Sequence, residues 1–371
     1  MSFPETPSEF VNWPELLEKG SEEDALAWVA AQTRESVRGM FTSRETEGLT
    51  PLMVAAKRSA RLTQALLPIS DAGEKSIFRS QSALTIAAEA GQADCVELLL
   101  QVPSHKVAGD SVYDALLTAI FYGHADCVKI LAPKADLSHK GRDALLTACV
   151  RGQWKCAPFL ANEITAKHAH PQTKMTPLME IAESVRGAEA DRIECLKHVL
   201  PFSDTSARNV QRRTALQLAI IEQQWNVALE VAKHTDIVKE EKRWSALDEL
   251  LKNRLAQPHP EKGALVAYLA KILATDGQAE HLAVAFGRAA GGGQWECADA
   301  LSEWATPEQL LSSQDLAVAR KDEDRIPQIV SRIEAIELEK IVGASATTVL
   351  EPENSDELAP AAPKSRSASR I

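Results

Sequence analysis

The chain has 371 residues, of which 45% are hydrophobic and only 5% aromatic, and its formal net charge is −11. A negative charge of this size argues against general nucleic-acid binding, which needs a clustered lysine and arginine surface. No apolar run approaches the roughly 18 residues that cross a bilayer. The first residues lack the basic and apolar segments of a secretory signal. Six cysteines in a chain of this length favour a reducing compartment. We therefore expect a cytoplasmic protein without membrane insertion.

The first 48 residues predict short helices with one apolar and one acidic side. Residues 13–17 and 25–29 show this pattern most clearly. A terminal repeat needs such a polar outer face to remain soluble. We therefore interpret residues 1–48 as an N-terminal cap.

From residue 49 onward, a short segment with Ala or Leu at its core positions returns every thirty-odd residues. The spacings between successive copies are 32, 32, 29, 33, 38 and 31 residues. The copies begin at Thr50, Ser82, Asp114, Asp143, Thr176, Thr214 and Ser245. A weaker eighth copy runs from Val284 to Cys297. Self-similarity at this period predicts a stacked array of supersecondary units.

Within each copy the residues predict two helices joined by a tight turn. Thr50 and Thr176 can cap a first helix, while the proline that follows each of them occupies the first turn. Gly91, Gly123 and Gly152 fall between two apolar stretches, where such a turn can require a positive φ.

Five of the six cysteines occupy one position in the second half of a copy. They are Cys95, Cys127, Cys156, Cys195 and Cys297. A small thiol at this position would pack between neighbouring second helices. The alternative is a metal ladder or a redox relay, but the paired spacing of a tetrahedral zinc site is missing. We therefore predict a structural seam with no metal and no cofactor.

These segments resemble a known family. Residues 91–100 and 123–131 resemble the second half of an ankyrin repeat, and the Thr-Pro-Leu segments at 50–52 and 176–178 resemble its first half. The resemblance implies an all-α solenoid of about eight helix-turn-helix repeats with degenerate N- and C-terminal caps. The histidine that usually follows Thr-Pro-Leu is absent. The Asp-Cys-Val segments also resemble ankyrin-only proteins of flagellated parasitic protists, several of which are cytoskeletal.

The resemblance and the composition together divide the chain into four parts. We predict capping helices over 1–48, the repeat array over 49–305, further capping helices over 306–342 and a flexible tail over 343–371. The tail is rich in Ala, Pro and Ser and cannot bury enough apolar surface to offset its ordering entropy.

Catalytic signatures are scarce. His168 and His170 are the only close histidine pair, and residues 291–293 lack the ending of a phosphate-binding loop. We predict that the chain is not an enzyme. Three Gln-Trp dipeptides place Trp154, Trp225 and Trp295 at the start of second helices, where they could anchor a partner or cover a neighbouring repeat; we favour packing.

The resemblance implies that a partner protein binds the concave face, which is formed just before each first helix and near that helix's end. The candidate residues are Lys57, Arg58, Tyr113, Phe121, Tyr122, Arg142, Arg151 and Trp244. Aromatic and arginine side chains together are typical of binding hot spots. The alternative is that the aromatics pack under an adjacent loop. The predicted function is a non-catalytic protein-interaction scaffold; the alternative is a structural component of the microtubule cytoskeleton.

Overall fold

The computed structural model describes residues 12–43, 47–102, 109–135, 137, 143–241, 246–252, 259–320, 327, 329–331 and 333–335. Within these ranges the regular elements are helices, and one isolated antiparallel bridge joins Lys75 to Ser82. None of the described helices combines the length and the apolar character that crossing a membrane requires. The chain divides into two compact units, Met1–Gln278 and Ala279–Ile371. This division falls inside the range predicted for the repeat array.

The first unit contains α1 to α18 in chain order. They are α1 (Trp13–Lys19), α2 (Glu22–Ala30), α3 (Arg34–Val37), α4 (Pro51–Ala56), α5 (Ala60–Leu66), α6 (Ala83–Glu89), α7 (Ala93–Leu100), α8 (Gly109–Tyr122), α9 (Ala125–Leu131), α10 (Ala144–Arg151), α11 (Glu163–Lys167), α12 (Pro177–Glu183), α13 (Glu189–Val199), α14 (Ala215–Ile221), α15 (Trp225–Lys233), α16 (Ile237–Glu241), α17 (Ala246–Lys252) and α18 (Pro260–Thr275).

These helices form two layers of stacked pairs. The first helices pack on one another in the order α4, α6, α8, α10, α12, α14 and α17. The second helices pack behind them, α5 on α7, α7 on α9, α13 on α15 and α15 on α18. Both layers are filled by small and branched aliphatic side chains, of which Leu84, Ala87 and Leu99 are almost fully buried. The first unit is an all-α repeat solenoid, as predicted.

Helices α4, α12 and α14 begin directly after the threonines that start their copies. The Thr50 hydroxyl accepts a hydrogen bond from the Met53 backbone N–H at 3.3 Å. The Thr214 hydroxyl does the same for the Gln217 N–H at 3.4 Å, and the Gln217 Oε1 accepts from the Thr214 N–H at 3.0 Å. Such reciprocal caps satisfy donors that the first turn of a helix leaves unpaired. Gln217 thus supplies a cap at the position where ankyrin repeats usually carry histidine.

The turn between the two helices of a pair needs a left-handed backbone. Gly91, Gly123 and Gly152 have φ of 71°, 80° and 72°, as predicted. At Gly91 a Cβ atom would also lie 2.7 Å from Nδ1 of His124 in the next copy. The turn therefore reverses the chain tightly, and the following pair lies directly against it.

The cysteines of the repeat position are packed inside. Cys95, Cys127, Cys156 and Cys195 are buried in the first unit, and Cys297 is buried in the second. Burial raises the pKa of the Cys127 and Cys156 thiols to about 11. This confirms that the thiols fill the interior between helices.

A sixth cysteine, Cys149, lies on a first helix and is also buried. The Cys149 thiol donates a hydrogen bond to its neighbour Cys195, and this bond together with burial raises the pKa of Cys149 well above its ordinary value. At neutral pH this thiol therefore carries its proton.

Two copies depart from the regular pattern. Helix α8 begins at Gly109, five residues before the predicted start of its copy at Asp114. In the next copy the second half is a short 3₁₀ turn at Ala157–Phe159 followed by α11. Pro158 lies in this turn, where it cannot donate the hydrogen bond that a continuing α-helix requires.

The first two helices pack against the start of the array. Helix α1 packs on α4, and α2 packs on α5. Leu17, Ala25 and Val29 are buried against the array, and Trp13 and Trp28 stack with ring centroids 6.2 Å apart.

The second unit contains α19 (Ala279–Gly292), α20 (Trp295–Leu301) and α21 (Pro307–Arg320). Gly293 has φ of 74° and separates α19 from α20, so residues 291–293 end a helix and make a turn. The Gln309 amide donates to the Ala283 carbonyl at 3.1 Å and links α21 to α19. Residues 336–371, which include the predicted tail, lie outside the described residues.

Candidate protein-interaction surface

The C-terminal ends of three successive first helices form one surface on the first unit. We call it the helix-end surface and define it by Glu89 of α6, Phe121 and Tyr122 of α8, and Val150 and Arg151 of α10. All of these except Glu89 are exposed. Each helix ends here because a turn residue of positive φ follows it within two positions.

The centre of the helix-end surface is a contact between two copies. The Arg151 guanidinium lies over the Phe121 ring, with Cζ 4.0 Å from the ring centroid. The rings of Phe121 and Tyr122 meet edge to face at 5.2 Å. Cation–π and edge-to-face contacts hold such side chains in place while their outer surfaces stay accessible. Phe121 is 47% exposed and Tyr122 is 50% exposed, so both remain open to a partner.

The carboxylate of Glu89 holds Tyr122 from the preceding copy. The Tyr122 hydroxyl donates to Glu89 Oε1 at 3.2 Å, and the Gln81 amide donates to Glu89 Oε2 at 2.9 Å. The Tyr122 ring also stacks on the His124 ring with centroids 6.3 Å apart. The negative charge of Glu89 raises the pKa of Tyr122, so the phenol stays protonated at neutral pH.

A row of charged side chains extends from Glu89 on the side away from the aromatic pair. Arg79 lies between two carboxylates, 3.7 Å from Glu89 and 2.8 Å from Glu47. The sequence reasoning missed Arg79, although it lies three residues before the start of its copy at Ser82. Arg79 borders the helix-end surface and fixes the position of Glu89.

Tyr113 does not belong to the helix-end surface. Its predicted position just before a first helix is wrong, because α8 already contains it. Eight residues separate it from Phe121 along one helix, a rise of about 12 Å. Its hydroxyl donates to Asp143 Oδ1 at 2.7 Å and so joins α8 to the start of the next copy. Burial and this hydrogen bond raise the pKa of Tyr113.

The two basic candidates of the first copy have different surroundings. Lys57 is exposed at the end of α4. Arg58 is half-buried, and its guanidinium donates to the carbonyls of Leu17 and Gly20 at 2.9 and 2.6 Å. Arg58 therefore holds the N-terminal cap on the array. The last two candidates, Arg142 and Trp244, lie outside the described residues.

The three repeat tryptophans pack inside their units, which confirms the packing interpretation. Trp154, Trp225 and Trp295 are all buried. The Trp154 indole N–H donates to the Arg186 carbonyl at 2.9 Å. A buried indole with its donor satisfied cannot serve as a partner anchor without unfolding its surroundings.

Other chemistry is sparse in the described part of the chain. No group of three His, Cys, Asp or Glu side chains there is placed to hold a metal ion. Glu180 of α12 is a half-buried carboxyl that was not among the residues predicted from the sequence. Burial and the neighbouring Glu183 raise its pKa, and Arg186 opposes the shift.

Paired helices, threonine caps, positive-φ turns and a buried thiol at one register position make the first unit a helical repeat array. The chain is similar to the human ASB11 ankyrin repeat domain, with 20% identity over 60% of this chain and 97% of that one, at a TM-score of 0.41. It is also similar to a chain in the complex of the predatory endopeptidase Bd0816 of Bdellovibrio bacteriovorus with the immunity protein Bd3460. That match has 22% identity over 50% of this chain and 98% of the other, at a TM-score of 0.38. No family model and no curated protein matches the chain.

Proposed function

We propose that this protein is a non-catalytic scaffold that binds another protein through its helix-end surface, which the family resemblance equates with the concave face. The observation that carries the proposal is the exposed Phe121–Tyr122 pair with Arg151 stacked on it. Aromatic and arginine side chains dominate the energetics of protein interfaces.

The surface is suited to binding because its side chains are already positioned. Arg151 fixes Phe121 from one side, and Glu89 fixes Tyr122 from the other. A partner that covers these rings would therefore order few additional side chains, which reduces the entropic cost of association.

Capture from a lysate by the full chain, followed by mass spectrometry, identifies the partner, and its affinity is then measured against variants. Replacing Phe121 and Tyr122 with alanine should weaken binding about thirtyfold or more, since a hot-spot anchor contributes about 2 kcal/mol. Helicity should be unchanged because both rings are exposed.

The matched control replaces Phe159 and Phe202, two exposed aromatics elsewhere on the first unit, with alanine. This variant should bind as the unmodified chain does. If the control loses the partner while the Phe121/Tyr122 variant retains it, the helix-end surface is misassigned.

A location on the microtubule cytoskeleton is the narrower version of the proposal and is supported only by the Asp-Cys-Val resemblance. Co-sedimentation of the full chain with polymerised tubulin tests it directly. A chain that stays in the supernatant at all tubulin concentrations would rule this version out and leave the general proposal standing.

A further inference from the structure

Two successive hairpin turns of the first unit, 170–175 before α12 and 209–213 before α14, lie side by side. In the first, the His170 N–H donates to the Met175 carbonyl at 2.8 Å. In the second, the Asn209 N–H donates to the Arg213 carbonyl at 3.0 Å. The Val210 N–H donates to the Thr173 carbonyl at 3.1 Å and joins the two turns. Their tips therefore form one continuous surface.

The tips of these turns carry a cluster of cations. We call Lys174, Arg208, Arg212 and Arg213 the fingertip patch. Lys174, Arg212 and Arg213 are exposed, and none of the three makes an ion pair with a described residue. The Arg208 guanidinium donates to the Arg212 carbonyl at 2.7 Å and supports the second turn. These three exposed cations contrast with a chain whose net charge is −11.

Two of these cations occupy strained backbone positions. Lys174 has φ of 59° and Arg212 has φ of 64°. The equivalent place, two residues before the start of a copy, is held by Gly48 with φ of 62° and by Ser80 with φ of 53°. A left-handed conformation is strained for a residue that carries a side chain. Neither long side chain offsets this strain by packing, because both side chains are exposed.

The backbone beneath the patch is rigid. Asn209 is buried, and its side-chain oxygen accepts hydrogen bonds from the backbone N–H groups of Gln211 and Arg213 at 3.0 and 2.9 Å. Beside it, Val210 is 60% exposed and adds an apolar spot among the cations. The cations thus extend from a fixed support, which favours the recognition of a specific ligand shape.

We propose that the fingertip patch binds an extended acidic segment of a partner protein. Guanidinium groups pair with carboxylates through two parallel hydrogen bonds, and the patch offers the exposed guanidinium groups of Arg212 and Arg213 together with the Lys174 ammonium. Neighbouring helix layers lie about 8–10 Å apart. An extended chain covers this distance in about three residues. Acidic side chains at every third position therefore match successive turns.

A nucleic acid fits this surface less well than an acidic peptide. Single-stranded nucleic acids are bound by aromatic rings that stack on the bases, whereas the exposed apolar residue at these tips is Val210. The overall charge of −11 also repels a long polyanion.

The proposal is tested with the full chain and a fluorescent peptide of about twelve residues that has glutamate at every third position. The charge-removing variant is Lys174→Asn, Arg212→Asn and Arg213→Gln, in which asparagine tolerates the left-handed backbone. Anisotropy should show about tenfold weaker peptide binding, since each exposed ion pair contributes modestly. Thermal melts should show an unchanged fold.

The matched control removes three other exposed lysine charges through Lys129→Gln, Lys134→Gln and Lys155→Gln. It should bind the peptide within about twofold of the unmodified chain, since salt at about 0.1 M screens exposed charges that do not contact the peptide. Equal losses in both triple variants would overturn the proposal, because the attraction would then be non-specific. Tighter binding of an oligothymidylate than of the peptide would also overturn it.

This inference is independent of the helix-end surface. The Phe121→Ala/Tyr122→Ala variant should bind the acidic peptide as the unmodified chain does. If it loses the peptide while the fingertip variant retains it, the fingertip assignment is wrong.

Discussion

Arg58 and Arg151 stand at the same position of their copies, eight residues after Thr50 and Asp143, yet they have different roles. Arg58 follows the cap and uses its guanidinium on the carbonyls at the end of α1. Arg151 follows a copy whose first helix ends with Phe121 and Tyr122, and it lies over the exposed Phe121 ring. The arginine at this position therefore takes its role from the element that precedes its copy. It stabilises the fold where that element offers backbone carbonyls, and it remains available to a partner where that element offers an exposed ring.

The largest expected effect is the loss of stability when Arg58 is replaced. Arg58→Ala leaves the carbonyls of Leu17 and Gly20 without their donor and removes two charged hydrogen bonds, so we expect a loss of about 2–3 kcal/mol in unfolding free energy. Arg151→Ala should change stability by less than about 0.5 kcal/mol, since the residue is exposed. Urea denaturation followed by circular dichroism measures both. Equal losses in the two variants would contradict the division of roles.

A smaller effect separates the two tyrosines of α8. Tyr113→Phe removes the hydroxyl that donates to Asp143, which should cost about 1 kcal/mol. Tyr122→Phe should cost less because its hydroxyl is exposed to water.

The pH dependence of stability checks the same contrast. The folded-state pKa of Tyr113 is raised above its unfolded value of about 10. The unfolded state therefore loses its proton first, and the stability that Tyr113 contributes is lost as the pH rises beyond about 10. The unmodified chain should lose more stability than Tyr113→Phe between pH 9 and pH 11, as measured by melting temperature. Parallel curves for the two proteins would contradict a buried, hydrogen-bonded phenol.

The smallest effect concerns Glu180, which lies one copy beyond Arg151. Its pKa is raised by burial and by Glu183, so ionisation costs more in the folded state. The stability of the protonated form is present at low pH and is lost as the pH rises from the unfolded pKa of about 4.3 through the higher folded value. Glu180→Gln should therefore melt slightly higher than the unmodified chain at pH 7 and at the same temperature at pH 4. A lower melting temperature at pH 7 would show that the carboxylate has a stabilising partner.

The helix pairs, their turns and the buried thiols could be predicted because each depends on short-range sequence. Thr50 marks a helix start, Gly91 marks a turn, and Cys95 returns with the period of the array. Helix α8 starts earlier than predicted because Val112 stands where Gly48, Ser80, Lys174 and Arg212 make a left-handed turn in other copies, so no such turn interrupts the helix.

The candidate site was predictable only in part. Their positions within the copies placed Phe121, Tyr122 and Arg151 near the ends of first helices, and these three side chains are in contact. It failed for Arg58, because the cap carbonyls lie about forty residues earlier and no local pattern announces them. The role of a side chain that contacts residues distant in sequence can be assigned only from the three-dimensional structure.

The buried thiols make this protein its own reporter of local opening. An alkylating reagent attacks thiolates, and both burial and a raised pKa protect Cys127, Cys149 and Cys156 until their surroundings open. The labelling rate of each cysteine, followed by mass spectrometry of peptides, would measure how often its own copy opens. Cys297 would report on the second unit separately, without the introduction of any probe.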